Sequence, residues 1–407
     1  MPDARAPARA SASTDLHLGD AYTRPLSTSG SAALLEDTAR RLTGLCRAAC
    51  FGDETQRVVQ TYRSLLSDCV SEPSSEAARW CSEISDDHTP IEFSVACVEG
   101  RAEVRVLFEP QGHEPTLAAY RHAAIAYNQR LEREFGAELS RFHALEDLFL
   151  PPDLCGPFAA WSSVVFSIGQ APVFKTYFNP RARGTAEAAP LVSAALQRLG
   201  MAGAWGSLER TLLRRGAGLD ELTYFALDLA PGPEARVKVY VRHHECTLAD
   251  LEAAASAADD YRLGDASDFA RAMGGGRERF VARAPVTCAS FSTARHQRPV
   301  AATTYLPVCA YARDDAEVQT RIRTFLAERG MDHRAYDAAL EAFAQRPLAA
   351  GTGMQSWVAF RRYRGKPRFT VYLATEARRV FAPGKVPAPT VRPSLEPRHT
   401  LLRKEGS

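Results

Sequence analysis

Four tyrosines recur along the chain, each with a lysine or threonine two residues before it: Lys175-Thr176-Tyr177, Lys238-Val239-Tyr240, Thr303-Thr304-Tyr305 and Thr370-Val371-Tyr372. Arg105-Val106-Leu107 falls into the same register, and Arg236 and Arg368 extend two of the triplets upstream. The tyrosines are 63, 65 and 67 residues apart. Such a near-constant interval is the signature of a structural repeat. Residues two apart share one face of a strand, so each triplet sets a cation or hydroxyl beside a phenol. Glu92 belongs with them, because Ile91, Phe93 and Val95 alternate against it. Several cations on one face call for a ligand with several negative charges.

The elements that must carry these residues read as two helices followed by two strands, five times over. Apolar spacing predicts helices over 31–50 and 54–71, with Leu34, Leu35 and Leu42, then Val58, Val59, Tyr62, Leu65 and Leu66, on their buried faces. A strand pair follows over 91–109. Helices over 116–135 and 139–149 precede strands at 161–168 and 172–179. Helices over 188–199 and 205–215 precede strands at 222–229 and 235–243. Those over 248–260 and 266–274 precede strands at 285–293 and 299–311. The last pair, 315–329 and 333–345, precedes strands at 355–363 and 367–374. Thr247-Leu248-Ala249-Asp250 has the form of a capping box. Five hairpins supply ten strands, and closing them into a barrel with ten helices outside leaves no exposed sheet edge. The predicted fold class is α+β: a closed ten-stranded antiparallel β-barrel of five ααββ repeats.

Alternation sets Arg236, Lys238 and Tyr240 against Val237, Val239 and Val241, and Arg368, Thr370 and Tyr372 against Phe369, Val371 and Leu373. Amphipathic helices need the apolar face, which turns the charged and phenolic face to the lumen. An open sheet with a solvated cationic face is the alternative, and for a single strand it would be preferred. Recurrence in several hairpins favours the lumen. Burying cations without anions costs on the order of several kcal/mol each, and Glu92 alone cannot offset Arg105, Lys175, Arg236 and Lys238. A diphosphate is the natural counterion.

Composition narrows the remaining possibilities. The 407 residues carry 50 Lys+Arg against 48 Asp+Glu, a formal charge of +2, and no basic tract with interleaved aromatics suggests nucleic acid. No apolar run approaches the roughly 20 residues needed to cross a bilayer. The nine cysteines are odd in number and form no CxxC pair, which fits a reducing cytoplasm better than a disulfide framework or structural zinc. Residues 1–30 lack an apolar signal core and read as a disordered tail rather than a transit peptide, 31–380 as one barrel domain, and 381–407 as a flexible Pro-rich tail.

The chain resembles the aromatic prenyltransferases of the dimethylallyltryptophan synthase type, from about residue 30 to 380. The likeness rests on Pro90-Ile91-Glu92-Phe93-Ser94, Arg105 with Phe108-Glu109-Pro110, Lys175-Thr176-Tyr177, Arg236-Val237-Lys238-Val239-Tyr240, Thr303-Thr304-Tyr305 and Thr370-Val371-Tyr372. Each fragment is weak alone, but their order and spacing together are specific. The resemblance implies that Arg105, Lys175, Arg236 and Lys238 bind the diphosphate, Lys175 also serving catalysis. It implies that Tyr177, Tyr240, Tyr305 and Tyr372 shield the allyl group and that Glu92 accepts the indole N–H. Trp161 and Thr303 would touch the acceptor. Thr303 stands where fungal relatives often carry Gln, Asn179 where an aromatic residue helps hold the amino acid, and Ser162 and Ser163 where a further lysine is found. The implied reaction moves a dimethylallyl group from dimethylallyl diphosphate to an indole carbon, most simply of free L-tryptophan, in a monomer or homodimer without membrane or nucleic-acid partners. Other acceptors (a cyclic dipeptide, an indole peptide or a phenol) stay open, as does a barrel that binds an anionic metabolite without catalysis. Four phenols around the ligand favour the enzyme.

No cofactor is expected. The Asp pairs Asp86-Asp87, Asp259-Asp260 and Asp314-Asp315 lack the third aspartate of a magnesium-binding DDxxD cluster, so magnesium should be dispensable. Other motifs have plainer readings. His243-His244-Glu245-Cys246 cannot converge on one metal from a strand and reads as a strand-end turn. Gly274-Gly275-Gly276 lacks the flanks of a phosphate loop and reads as a helix stop. Trp161 and Trp357 each begin a hairpin, where core packing is the ordinary role, although Trp161 could wall an indole.

Overall fold

Ten strands, two from each predicted hairpin, close into one antiparallel barrel. They are β1 (Ile91–Val98), β2 (Arg101–Phe108), β3 (Ala160–Phe166), β4 (Val173–Phe178), β5 (Asp220–Asp228), β6 (Arg236–His243), β7 (Val286–Ser292), β8 (Ala301–Leu306), β9 (Gln355–Tyr363) and β10 (Lys366–Ala374). The computed structural model describes residues 21–22, 31–67, 78–98 and 101–385. The tails expected over 1–30 and 381–407 fall largely outside these residues. Ala21–Tyr22 is described, and it pairs with Val380–Phe381 in a two-stranded ribbon.

Neighbours in the chain are neighbours in the barrel, and β10 returns to β1 with Phe369 opposite Cys97 and Ala374 opposite Glu92. All five hairpin turns therefore lie at one end of the barrel, and all the helical connections leave from the other. Two bulges interrupt the ladders, between Leu222 and Tyr224 in β5 and between Gln355 and Val358 in β9. Each inserts a residue and shifts the inside-outside alternation by one.

Nine helices of eight residues or more surround the sheet among the described residues: α1 (Ser31–Ala48), α2 (Glu54–Leu66), α3 (Leu117–Phe135), α6 (Ala188–Arg198), α7 (Ala202–Thr211), α8 (Leu248–Ala255), α9 (Asp265–Met273), α10 (Asp315–Glu328) and α11 (Arg334–Phe343). The helix expected over 139–149 is instead two short ones, α4 (Ser140–His143) and α5 (Glu146–Phe149). The strand expected to run to 311 stops at Leu306, because Pro307 has no N–H to give the ladder and a 3-10 turn follows over Val308–Ala310. At α8 the capping box forms as expected: Thr247 Oγ1 accepts from the Asp250 N–H, and the Asp250 carboxylate accepts from the Thr247 N–H at 3.0 Å.

The apolar strand face meets the helices. Val237, Val239, Val241, Phe369, Val371 and Leu373 are fully buried in the shell between sheet and helices, each contributing about 1.5–3 kcal/mol by leaving water. The helical ring closes as the barrel does, with α1 against α11. Gly44 makes that approach possible, since a Cβ there would sit 3.1 Å from the Ala342 carbonyl oxygen. Arg41 seals the joint by donating to the Phe343 carbonyl and lying 4.9 Å above the Phe343 ring. No helix among the described residues is long and apolar enough to cross a membrane. His243 and His244 go to different carboxylates, Asp220 and Glu221, and Glu245 turns the chain at φ 47°.

Candidate active site

Inside the barrel the side chains form layers. At the hairpin end, strand alternation brings Arg105, Lys175, Arg236 and Lys238 together around a cavity of about 160 Å³. Arg361 of β9 and Arg368 of β10 join them in its lining. Two carboxylates are interleaved: Glu103 accepts from Arg105 at 2.6 Å, and Asp228 accepts from Arg236 Nε at 2.7 Å, with Lys238 Nζ 3.5 Å away. The expectation that Glu92 alone would stand against the cations is thus corrected, because Glu103 and Asp228 lie among them. Six cations against two carboxylates still leave a formal excess of four positive charges.

The ionisation of these groups records the imbalance. Burial opposes the charge of Glu103, yet Arg105 holds its carboxyl down at about 2. Asp228 is held well below the carboxylate range against its burial by Lys238 and Arg236. On the cationic side, burial pushes Lys238 down to about 8 despite Asp228. Burial and the Lys238 charge push Lys175 well below the ordinary lysine value, and it forms no ion pair among the described residues. Burial together with Arg236 and Arg105 brings Arg361 down to about 10. Lys175, Lys238 and Arg361, held below their ordinary pKa, gain from a polyanion, which restores their charge and satisfies their donors. Arg105 and Arg236 are instead raised, against their burial, by Glu103 and Asp228.

The next layer is aromatic. Tyr177, Tyr240, Tyr305 and Tyr372 follow one another around the wall, with successive ring centroids 6.0, 5.9 and 5.8 Å apart. Tyr224 joins edge-on to Tyr240 at 5.7 Å. Burial raises the pKa of all these phenols, so they stay neutral. Cys288 lies on the same wall opposite Tyr240.

Glu92 lies beyond the tyrosines, at the end from which the helices leave. It is 5 % exposed and accepts from Ser356 Oγ at 2.7 Å. Burial raises its pKa to about 8, with the Ser356 hydrogen bond opposing the rise. Trp161 stacks on Phe158 at 4.3 Å and packs against Tyr224 at 5.0 Å, and its buried Nε1 has no hydrogen-bond partner among the described residues. On β9, Trp357 packs against the tyrosine cluster. Thr303 lies apart from this end, lining the cationic cavity beside Tyr305. Asn179 is spent on the chain itself: its amide donates to the carbonyl of Phe158, and its oxygen accepts from the Arg181 N–H.

Residues 36–339 match the family described as tryptophan dimethylallyltransferase. This chain belongs to the tryptophan dimethylallyltransferase family. A 6-dimethylallyltryptophan synthase from Micromonospora olivasterospora, solved in complex with DMASPP and Trp, shares 36% identity at a TM-score of 0.81, covering 86% of this chain and 99% of the other. The prenyltransferase PriB, solved as a binary complex with product diphosphate, shares 32% over 87% of this chain and 99% of its own, at a TM-score of 0.80. A 5-dimethylallyltryptophan synthase from Streptomyces coelicolor shares 31% at a TM-score of 0.77, again over 87% and 99%. The chain is therefore an enzyme, an aromatic prenyltransferase built on a closed antiparallel barrel.

Within that family barrel, four lumen residues have no role in the reading of the triplets: Glu103, Asp228, Tyr224 and Arg361. Glu103 lies two residues before Arg105 and was open to the same alternation argument. Tyr224, Asp228 and Arg361 are on first strands, where no repeated triplet gives a register and a bulge breaks the alternation in both β5 and β9. Ser163 lies opposite Lys175, and Arg361 and Arg368 bring further charge from the fifth hairpin. Members of the Asp pairs have partners of their own: Asp86 has Arg283, Asp259 has Arg298, Asp314 caps the start of α10, and Asp315 has Arg346.

Proposed function

We propose that this enzyme transfers the dimethylallyl group of dimethylallyl diphosphate to a ring carbon of free L-tryptophan, without a metal ion. The carrying observation is the order of the layers along one lumen: a cationic cavity with four charges in excess, then four tyrosines, then a buried carboxylate. The solved relatives with bound DMASPP and Trp, or with product diphosphate, support the same ligands here.

In this reading the diphosphate lies among Arg105, Lys175, Arg236 and Lys238, with Arg361 and Arg368 at its outer oxygens. As the C–O bond loosens, negative charge grows on the leaving group and the fixed cations stabilise it, the electrostatic work a metal ion does elsewhere. The allylic cation forms within the tyrosine layer, whose faces attract it and whose bulk excludes water. The indole enters from the Glu92 end and attacks with a ring carbon. An indole N–H donated to Glu92 favours the carboxylate form and lowers its raised pKa. The carboxylate then takes up that proton as positive charge develops on the ring, and returns it to the nitrogen as the attacked carbon loses its own proton to the released diphosphate, which restores aromaticity. The free thiols of the described cysteines fit a reducing, cytoplasmic setting.

The test is to incubate the purified enzyme with dimethylallyl diphosphate and a panel holding L-tryptophan, a tryptophan-containing cyclic dipeptide, an indole peptide and a simple phenol. Product masses and NMR should show carbon-prenylated tryptophan as the preferred product. No prenylated product from any indole would overturn the reading.

A further inference from the structure

At the Glu92 end of the lumen, an ion pair sits where no strand triplet points. Arg283, three residues before β7, donates through Nη1 to Asp86 Oδ2 at 2.7 Å, and its guanidinium lies 5.0 Å from the centre of the Trp357 ring. Its backbone is clamped by Tyr311, whose hydroxyl accepts from the Arg283 N–H at 3.1 Å and donates to the Arg283 carbonyl at 2.6 Å. Trp357, which the guanidinium overlies, packs against the tyrosine cluster and is the neighbour of Ser356, the residue that donates to Glu92, so the pair stands at the same end of the lumen. The side chains are 18% and 17% exposed, so neither is sealed away.

The unused atoms carry the argument. The side-chain contacts of Arg283, to Asp86 and to the Cys309 thiol, both run through Nη1. Its Nη2 and Nε have no partner among the described residues. Asp86 uses Oδ2 for Arg283 and for the Cys309 thiol, leaving Oδ1 open. One free guanidinium edge beside one free carboxylate oxygen is the complement of a carboxylate beside an ammonium. Glu221, also ion-paired at this end, is different: it is held by Arg181 and His244 at 2.8 Å each and by Arg242 at 3.6 Å.

We propose that Arg283 and Asp86 together bind the carboxylate and ammonium of a free α-amino acid, so that the acceptor end selects tryptophan itself over indoles lacking either charge. This rests on the tryptophan-prenylating reading above and deepens it. Trp357 holds the guanidinium plane, Tyr311 holds its backbone, and an amino acid whose indole reaches Glu92 presents its zwitterion to the pair. A peptide bond at either end would remove one of the two charges being read.

The experiment is equilibrium binding by calorimetry, with dimethylallyl thiolodiphosphate present, of three ligands: L-tryptophan, tryptamine (no carboxylate) and indole-3-propionate (no ammonium). Arg283→Leu should weaken L-tryptophan and indole-3-propionate on the order of 10- to 100-fold, as loss of a charge-assisted hydrogen bond implies, and leave tryptamine almost unchanged. Asp86→Asn should weaken L-tryptophan and tryptamine and spare indole-3-propionate. Arg283→Lys keeps the charge and the Asp86 pairing, so it should recover part of the loss. It also gives the same three-ligand reading should the leucine variant not fold. Equal losses for all three ligands, or unchanged L-tryptophan binding, would overturn the assignment. Binding is read without turnover, so a wild-type enzyme that binds with this pattern yet prenylates no indole would refute the proposed reaction and leave the zwitterion site standing.

Discussion

The two ends of the barrel are built by different means. At the hairpin end, cations stand on regular strands two residues from tyrosines, and their positions follow from alternation and the ladder register. At the crossover end, Asp86 and Arg283 precede their strands, Tyr224 follows a bulge, and Ser356 and Trp357 lie inside one. A leaving group common to a family can be met by a rigid, repeated ladder. An acceptor that varies is met by connections, where one residue more or less re-aims a side chain without disturbing the sheet. In the proposed reading, donor recognition is thus a property of the repeat, and acceptor recognition a property of its irregularities.

That contrast can be broken by mutation, starting with the largest expected effect. Removing two cations at once, Lys175→Ala with Lys238→Ala, should lower kcat by at least about 10³-fold, since one preorganised electrostatic donor is worth about 10²–10³. L-tryptophan binding should survive. Loss of tryptophan affinity in step with kcat would show that the two ends are not separable.

Glu92→Gln comes next. It should cut kcat by about 10²-fold, the lower range for a general acid–base group, and leave diphosphate binding intact, as titration with inorganic diphosphate would show. In the wild type, kcat/KM for tryptophan should rise with pH toward about 8, where the free Glu92 ionises, and the glutamine variant should lose that limb. Stability carries the same signature. Folding raises this pKa from 4.5 to about 8, so between those values the folded state binds a proton that the unfolded state has lost. The contribution of Glu92 to stability therefore falls as pH rises through that window. Denaturant midpoints of Glu92→Gln should fall less across the same window.

Asp228→Asn probes the carboxylate hidden in the cationic layer. Lys238, already lowered to about 8 with Asp228 beside it, should titrate at still lower pH. The alkaline decline of kcat/KM for the donor should then begin earlier, at a cost of about tenfold near neutrality, or one pKa-scale step of 1.4 kcal/mol. An unmoved alkaline limb would mean that Asp228 does not set the charge of the layer. The smallest effect belongs to Tyr305→Phe. It keeps the π face, worth about 0.5–2 kcal/mol, and loses only a hydroxyl, so kcat should change by a few fold. Tyr305→Ala should cost more and release dimethylallyl alcohol as water reaches the cation.

The legibility of the site follows the same division. Lys175, Arg236, Lys238 and the four tyrosines could be placed on one face because a period near 65 residues aligned their strands and strict alternation did the rest. Barrel closure followed from the hairpin count, since closing ten strands leaves no exposed sheet edge. Asp228 and Arg361 were hidden because first strands carry no repeated triplet. The bulges in β5 and β9 flip the alternation, so that Leu222 faces the helices while Tyr224, only two residues on, faces the lumen. Arg283 could not be read at all: it lies in a connection, and only the fold brings it to Asp86 across 197 positions of sequence.

The central claim is that fixed protein cations do the work of a metal at the leaving diphosphate. Its most direct test is kcat with dimethylallyl diphosphate and L-tryptophan, measured in excess EDTA and again with added magnesium. The account predicts prenylated tryptophan at the same kcat in both conditions, and loss of that turnover in the Lys175/Lys238 double variant with no rescue by magnesium. Turnover that vanishes in EDTA and returns with magnesium would contradict it.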